Sequence, residues 1–163
     1  MQVQLLRIDS RLLHGQVTTS WAKAFRLDRI LVVDDAAAHD PLRQVLLQQA
    51  APVGIPVNVL TVDQACRLVD DSRLASTKVM IITATPESAR LLIEARLAVE
   101  SVNVGSLSFS AGRQMVTNAV AVDATDVAAF RWMHARGIQL DLRQVARDSS
   151  RDLWRILSEK HLV

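Results

Sequence analysis

Short runs of β-branched and aliphatic residues alternate with longer stretches of helical spacing along the whole chain, and this alternation restricts the fold more than any other feature. Strands are expected at 2–8, 29–33, 57–60, 78–83, 101–104, 118–122 and 139–145. Two of these segments, ILVV at 30–33 and VMII at 79–82, are apolar throughout, so both of their faces must be covered. Helices are expected at 15–25, 41–51, 63–71, 86–95, 125–136 and 151–160. Strands separated by helices pair through parallel crossovers, which predicts an α/β fold: a three-layer α/β/α open, mainly parallel sheet with helices on both faces.

Helix boundaries have local causes. Thr85–Pro86 and Asp40–Pro41 each place an N-cap side chain before a proline at the first helical position, where its missing N–H costs nothing. Val127, Phe130, Met133 and His134 share one face of the fifth helix, with His134 on or beside the buried side, and Gly137 offers a permissive stop after it. No repeat or Ser/Gly-rich linker interrupts the rhythm, and 163 residues, half of them apolar, suit one domain over 1–163.

Several function classes are disfavoured. The net charge is only +2 and the basic residues are scattered among just three Trp and three Phe, so no nucleic-acid surface is expected. Cys66 is the only cysteine, which rules out an internal disulfide and a cysteine metal cluster. Arg7, Asp9 and Arg11 break the early apolar stretch, and no uncharged run approaches the ~18 residues of a membrane span. A cytoplasmic protein that reaches the membrane only through partners is expected.

In an open parallel sheet, ligands bind at the carboxyl ends of the strands. The first such junction, RIDSRLLHGQVTTSW at 7–21, holds the densest set of reactive groups: Asp9, Arg11, His14, Gly15 and Gln16. Unpaired amides at a helix start favour an anion. Arg11 adds a planar fork suited to phosphate oxygens. Imidazole is largely neutral near pH 7 and then nucleophilic, which makes His14 the candidate acceptor of a phosphoryl group. Asp9 could orient either Arg11 or the imidazole N–H. Neither GxxxxGK[ST] nor GxGxxG follows the first strand, and His14 has no second His or Cys at metal spacing, so neither a metal nor an organic cofactor is expected.

The same segment resembles the R-I-D-x-R-L-[IL]-H-G-Q-V-x-x-x-W signature of the enzyme IIB components of the mannose/fructose/sorbose class of the bacterial sugar phosphotransferase system. The resemblance continues through RILVVDD at 29–35, LLQQAAPVGIPVNVL at 46–60, SVNVG at 101–105, NAVAVD at 118–123 and ARGIQLDLRQV at 135–145. It implies that His14 receives phosphate from a IIA histidine and delivers it to a sugar hydroxyl during uptake through membrane IIC and IID subunits, which select the sugar. It also implies an active-site loop of Asp9, Arg11, Gly15 and Gln16, with Arg11 contacting phosphate, in a cytoplasmic domain peripherally associated with the inner membrane. A homo-oligomer is left open. TATPES at 83–88 matches a strand-to-helix loop of the family, making Thr83 and Thr85 further phosphate-binding candidates, against plain N-capping. Ser106 and the EARLAV segment at 94–99 stand where the family commonly has glycine, departures expected to alter a surface loop. The rival reading is a non-catalytic α/β module that binds a phosphorylated ligand at the same loop and regulates a partner.

The remaining candidates have plainer uses. Asp34 and Asp35 end the second strand, where helix capping is the commoner role, and His39 reads as a turn residue. Trp21 and Cys66 read as packing residues, and His161 lies near the chain end, where fraying is expected.

Overall fold

A computed structural model describes residues 1–163, except the side chains of Gln16, Val17 and Thr18; the Gln16 candidate therefore lies outside the described residues. In chain order the elements are β1 (Gln2–Asp9), α1 (Gly15–Ala24), β2 (Arg29–Val33), α2 (Asp35–Ala38), α3 (Pro41–Gln49), β3 (Val57–Leu60), α4 (Val62–Val69), β4 (Lys78–Thr83) and α5 (Pro86–Glu94). They continue with β5 (Ser101–Ser106), β6 (Gln114–Met115), β7 (Ala121–Val122), α6 (Ala124–His134), β8 (Gln139–Leu142), β9 (Arg151–Asp152) and α7 (Leu153–Glu159).

The main sheet runs β3-β2-β4-β1-β5-β8-β9. Every pairing in it is parallel except that of the edge strand β9 on β8, so the expected three-layer, mainly parallel sheet is the observed one. Successive strand residues point to opposite faces, and the apolar strands feed two cores accordingly. Ile30, Val32, Met80 and Ile82 pack with Leu12, Leu13 and Trp21 on the face covered by α1, α2 and α3. Leu31, Val33, Val79 and Ile81 pack on the opposite face with Ala89, Leu92, Phe130, Met133, Leu153 and Leu157 from α5, α6 and α7. Strand β1 lies in the middle of the sheet, between β4 and β5. Its carboxyl end is thereby flanked by the ends of both neighbours, with Ile8 opposite Thr83 and Asp9 opposite Ser106.

The caps agree closely with the sequence. Thr85 Oγ1 accepts from the Ser88 amide and Asp40 from the Arg43 amide, each ahead of its proline. Asp34 accepts from the Ala37 amide to start α2, a helix too short to leave a periodic signature. Gly137, at φ +76, ends α6 as expected.

Other details differ from the sequence reading. The expected strand 118–122 contributes only Ala121–Val122, which pairs with β6 in a separate two-stranded sheet. Residues before it are a turn: Thr117 Oγ1 accepts from the amides of Ala119 and Val120. Strand β8 stops at Leu142 rather than 145. The last helix starts at Leu153 because Arg151–Asp152 adds a strand and Asp152 caps α7. His134 is exposed, its ring stacked 3.9 Å from that of Trp154. Ser106 is a buried strand residue, not part of a surface loop. Arg96 takes the left-handed conformation, φ +74, just past α5. The Leu97 and Arg96 amides there donate to the carbonyls of Leu92 and Ile93, a helix stop that glycine makes without strain. At the end of the chain, Leu162 and Val163 pack against the α5–α7 core.

Candidate active site

The loop between β1 and α1 is built by its own residues. The Asp9 carbonyl accepts from the Leu12 amide at 2.9 Å and its carboxylate accepts from the Arg11 amide at 3.1 Å, closing a tight turn. Leu12 leaves that turn at φ +59, a conformation that costs a non-glycine residue roughly 1 kcal/mol. The Leu12 and Leu13 side chains are buried in the α1-side core, and hiding each contributes about 1.5–3 kcal/mol, which offsets the strain. The turn is also stitched to β5: the Ser10 amide donates to the Ser106 carbonyl, and Ser10 Oγ lies 2.9 Å from Ser108 Oγ.

This geometry presents His14 as the N-cap of α1, in extended conformation. Its side chain is 28 % exposed and its Nε2 lies 3.3 Å from Asp9 Oδ2. Asp9 is fully buried, and its carboxylate meets both candidates: Oδ1 accepts from the Arg11 amide and Oδ2 lies against His14 Nε2. A Cβ on Gly15 would meet nothing within 4 Å apart from its chain neighbours and its own helix. Arg11 is half exposed, with Nε 3.5 Å from Asp9 Oδ1. Among the described residues its two terminal nitrogens hold no other partner.

The threonine candidates sit one strand away and are occupied locally. Thr83 is buried and its hydroxyl donates to the Thr85 carbonyl, while the Thr85 hydroxyl caps α5 and contacts Ser88 Oγ.

The motif reading does not single out Arg7, yet it lies fully buried beneath the loop. Its NH2 donates to Asp9 Oδ2 at 2.8 Å, and its NH1 donates to Asn103 Oδ1 and, at 3.2 Å, to the Arg143 carbonyl. Burial lowers its pKa from the ordinary arginine value, and the adjacent Asp9 charge works against that shift. In the sequence it stands two residues before Asp9 in a strand that also holds Gln2 and Gln4, with nothing to mark it as buried. Asn103, Gly105, Asp141 and Arg143 gave no signal either, because strand register alone brings them to Arg7.

Fold and loop together define an α/β domain with a partly exposed imidazole, a buried carboxylate and a half-exposed guanidinium at the carboxyl edge of its central strand. The family described as "PTS system sorbose subfamily IIB component" matches residues 3–163. The chain is 38% identical over 159 residues to the sorbose-specific EIIB component of Lacticaseibacillus casei, covering 98% of this chain and 97% of that protein. It is 39% identical over 159 residues to the mannose-specific EIIAB component of Escherichia coli K12, spanning 98% of this chain but 49% of that longer protein. The crystal structure of the IIBSor domain of the Klebsiella pneumoniae sorbose permease superposes with a TM-score of 0.94 at 34% identity, covering 98% of each chain. The chain therefore belongs to the sorbose subfamily of IIB components of the sugar phosphotransferase system, a phosphotransferase family.

Proposed function

We propose that this protein is the phosphocarrier of a sugar uptake system: His14 accepts a phosphoryl group from a IIA phosphohistidine and passes it to the hydroxyl of a sugar entering through IIC and IID membrane subunits. The observation that carries this reading is the contact between Asp9 Oδ2 and His14 Nε2. An ionised carboxylate can only accept, so Nε2 carries the ring proton and the lone pair of the neutral imidazole resides on Nδ1. In the first transfer, that pair attacks phosphorus and the donor's N–P bond breaks, its electrons returning to the donor ring. In the second, the sugar oxygen attacks phosphorus, the His14 N–P bond breaks, and the hydroxyl proton leaves to solvent. Such transfers need mainly positioning and charge neutralisation. Asp9 supplies the first by fixing the ring and balances the positive charge the ring acquires. The exposed fork of Arg11 and the α1 amides supply the second. Among the described residues no helix is long and apolar enough to cross a membrane, so the proposed membrane association runs through the transport subunits.

Incubation with phosphorylated IIA tests the proposal. Wild type should acquire acid-labile, base-stable phosphate, and His14→Ala should acquire none while keeping its melting temperature, because a partly exposed loop side chain contributes little to the core. Wild type that stays unlabelled, with inorganic phosphate still binding to His14→Ala, would favour the non-catalytic module instead.

A further inference from the structure

We propose that Arg7 is a positioning residue that acts through Asp9 to fix which nitrogen of the His14 ring carries the proton. For the chemistry this rests on the phosphocarrier reading; for the ring itself it stands alone.

Asp9 Oδ2 is shared by two donors, Arg7 NH2 at 2.8 Å and His14 Nε2 at 3.3 Å. Arg11 Nε also lies 3.5 Å from Asp9, on Oδ1, but the Arg7 guanidinium is the cation that shares the full burial of the carboxylate and holds the oxygen facing the ring. If that guanidinium were removed, nothing would hold Oδ2 against the ring, and the reason for Nε2–H to face it would vanish.

The guanidinium is itself held rigidly. Its NH1 is taken by Asn103 and the Arg143 carbonyl, and its Cζ lies 5.9 Å from the centre of the Trp21 ring. Asn103 is fixed in turn, its amide nitrogen donating to the Asp141 and Arg143 carbonyls. Gly105 completes the cradle, because a Cβ there would fall 1.8 Å from Arg7 NH2 and 2.1 Å from its Cζ. The absent side chain of Gly105 is the space Arg7 occupies.

This arrangement is not what stability alone would select. Arg7 Nε is buried with no hydrogen-bond partner, and a buried ion pair is often matched or bettered by apolar side chains of similar volume. A buried cation that leaves a donor unsatisfied, and touches the nucleophile only through one carboxylate, is explained by what it does to that nucleophile.

The test is the tautomer of His14, read from two-bond ¹⁵N–¹H spectra of the full chain without any phosphate donor, at about pH 8.5, where ordinary imidazole is neutral. Wild type should show Nε2–H. Arg7→Met removes the charge, and Gly105→Ala displaces it while every charged residue remains. Each variant should shift the tautomer ratio toward Nδ1–H by about tenfold or more, the worth of a hydrogen bond to a charged group. Arg7→Lys should recover part of the wild-type ratio. Wild-type ratios in folded Gly105→Ala, or in folded Arg7→Met, would overturn the proposal. The two readings fail separately. A labelled wild type whose tautomer ignores Arg7 sinks only this inference, whereas an unlabelled wild type whose tautomer responds to Arg7 sinks only the phosphocarrier reading.

Discussion

Replacing Asp9 by asparagine keeps the shape of the side chain and removes its charge, and the surroundings of Asp9 make the outcome calculable. Both carboxylate oxygens face donors: Arg7 NH2 and His14 Nε2 on one side, the Arg11 amide and Nε on the other. An asparagine NH2 group must therefore point at a donor whichever way the amide is flipped. If it faces Arg7 and His14, the guanidinium is left buried and unpaired, and breaking a buried pair from one side costs about 3–5 kcal/mol. For a domain of this size, that corresponds to a fall in melting temperature of roughly 6–20 °C. The imidazole can then contact the amide only by accepting, which moves its proton to Nδ1 and its lone pair to the nitrogen facing inward. By analogy with other enzymes whose histidine is held in the wrong tautomer, phosphoryl acceptance should fall by about 10²–10⁴-fold. Single-turnover transfer from phosphorylated IIA, quenched on the millisecond scale well below the variant's melting temperature, separates the rate effect from unfolding. A folded Asp9→Asn protein that accepts phosphate at the wild-type rate would refute the assignment of Asp9 as the residue that orients the ring.

Three further outcomes are expected. Arg11→Lys keeps the charge but loses the planar fork, so transfer should slow about tenfold with the melting temperature nearly unchanged; an unaltered rate removes Arg11 from the phosphate cradle. Arg96→Gly relieves the left-handed strain past α5 and should gain about 0.5 kcal/mol, or roughly 1–2 °C, whereas Arg96→Ala should gain nothing; calorimetry of the three proteins decides. Hydrogen bonds from Arg73 hold the Asp71 carboxyl down at about 2. A depressed folded value means stabilisation above the ordinary carboxyl range, lost as pH falls through it. Asp71→Asn should therefore melt below wild type at pH 7, with the gap closing between about pH 3.8 and about pH 2.

The parts of this protein legible in its sequence are those set by neighbours in the chain. Strand and helix periods, the caps at Thr85 and Asp40, the stop at Gly137 and the clustering of Asp9, Arg11 and His14 are all local patterns, and each appears where the sequence places it. Segment 118–122 misleads because a β-branched run looks the same whether it extends a sheet or closes a hairpin turn around Thr117. The support beneath the candidate site was hidden for a different reason. Arg7, Asn103, Gly105, Asp141 and Arg143 derive from β1, β5 and the end of β8, and only the register Arg7↔Asn103↔Asp141 brings them together. In one dimension Arg7 looks like any scattered cation and Gly105 like any strand-end glycine. Their relation is a matter of one side chain filling the volume another leaves.

The two leucines under the β1–α1 turn also bear on how the proposed transfers can be staged in time. Because Leu12 and Leu13 are interior residues, the segment cannot lift away without unpacking the interior itself. The Leu12 amide, bonded to the Asp9 carbonyl and carried by a fully buried side chain, should therefore exchange with solvent slowly for a loop. On the proposed function, donor and acceptor would therefore each travel to an imidazole whose supporting turn stays in place.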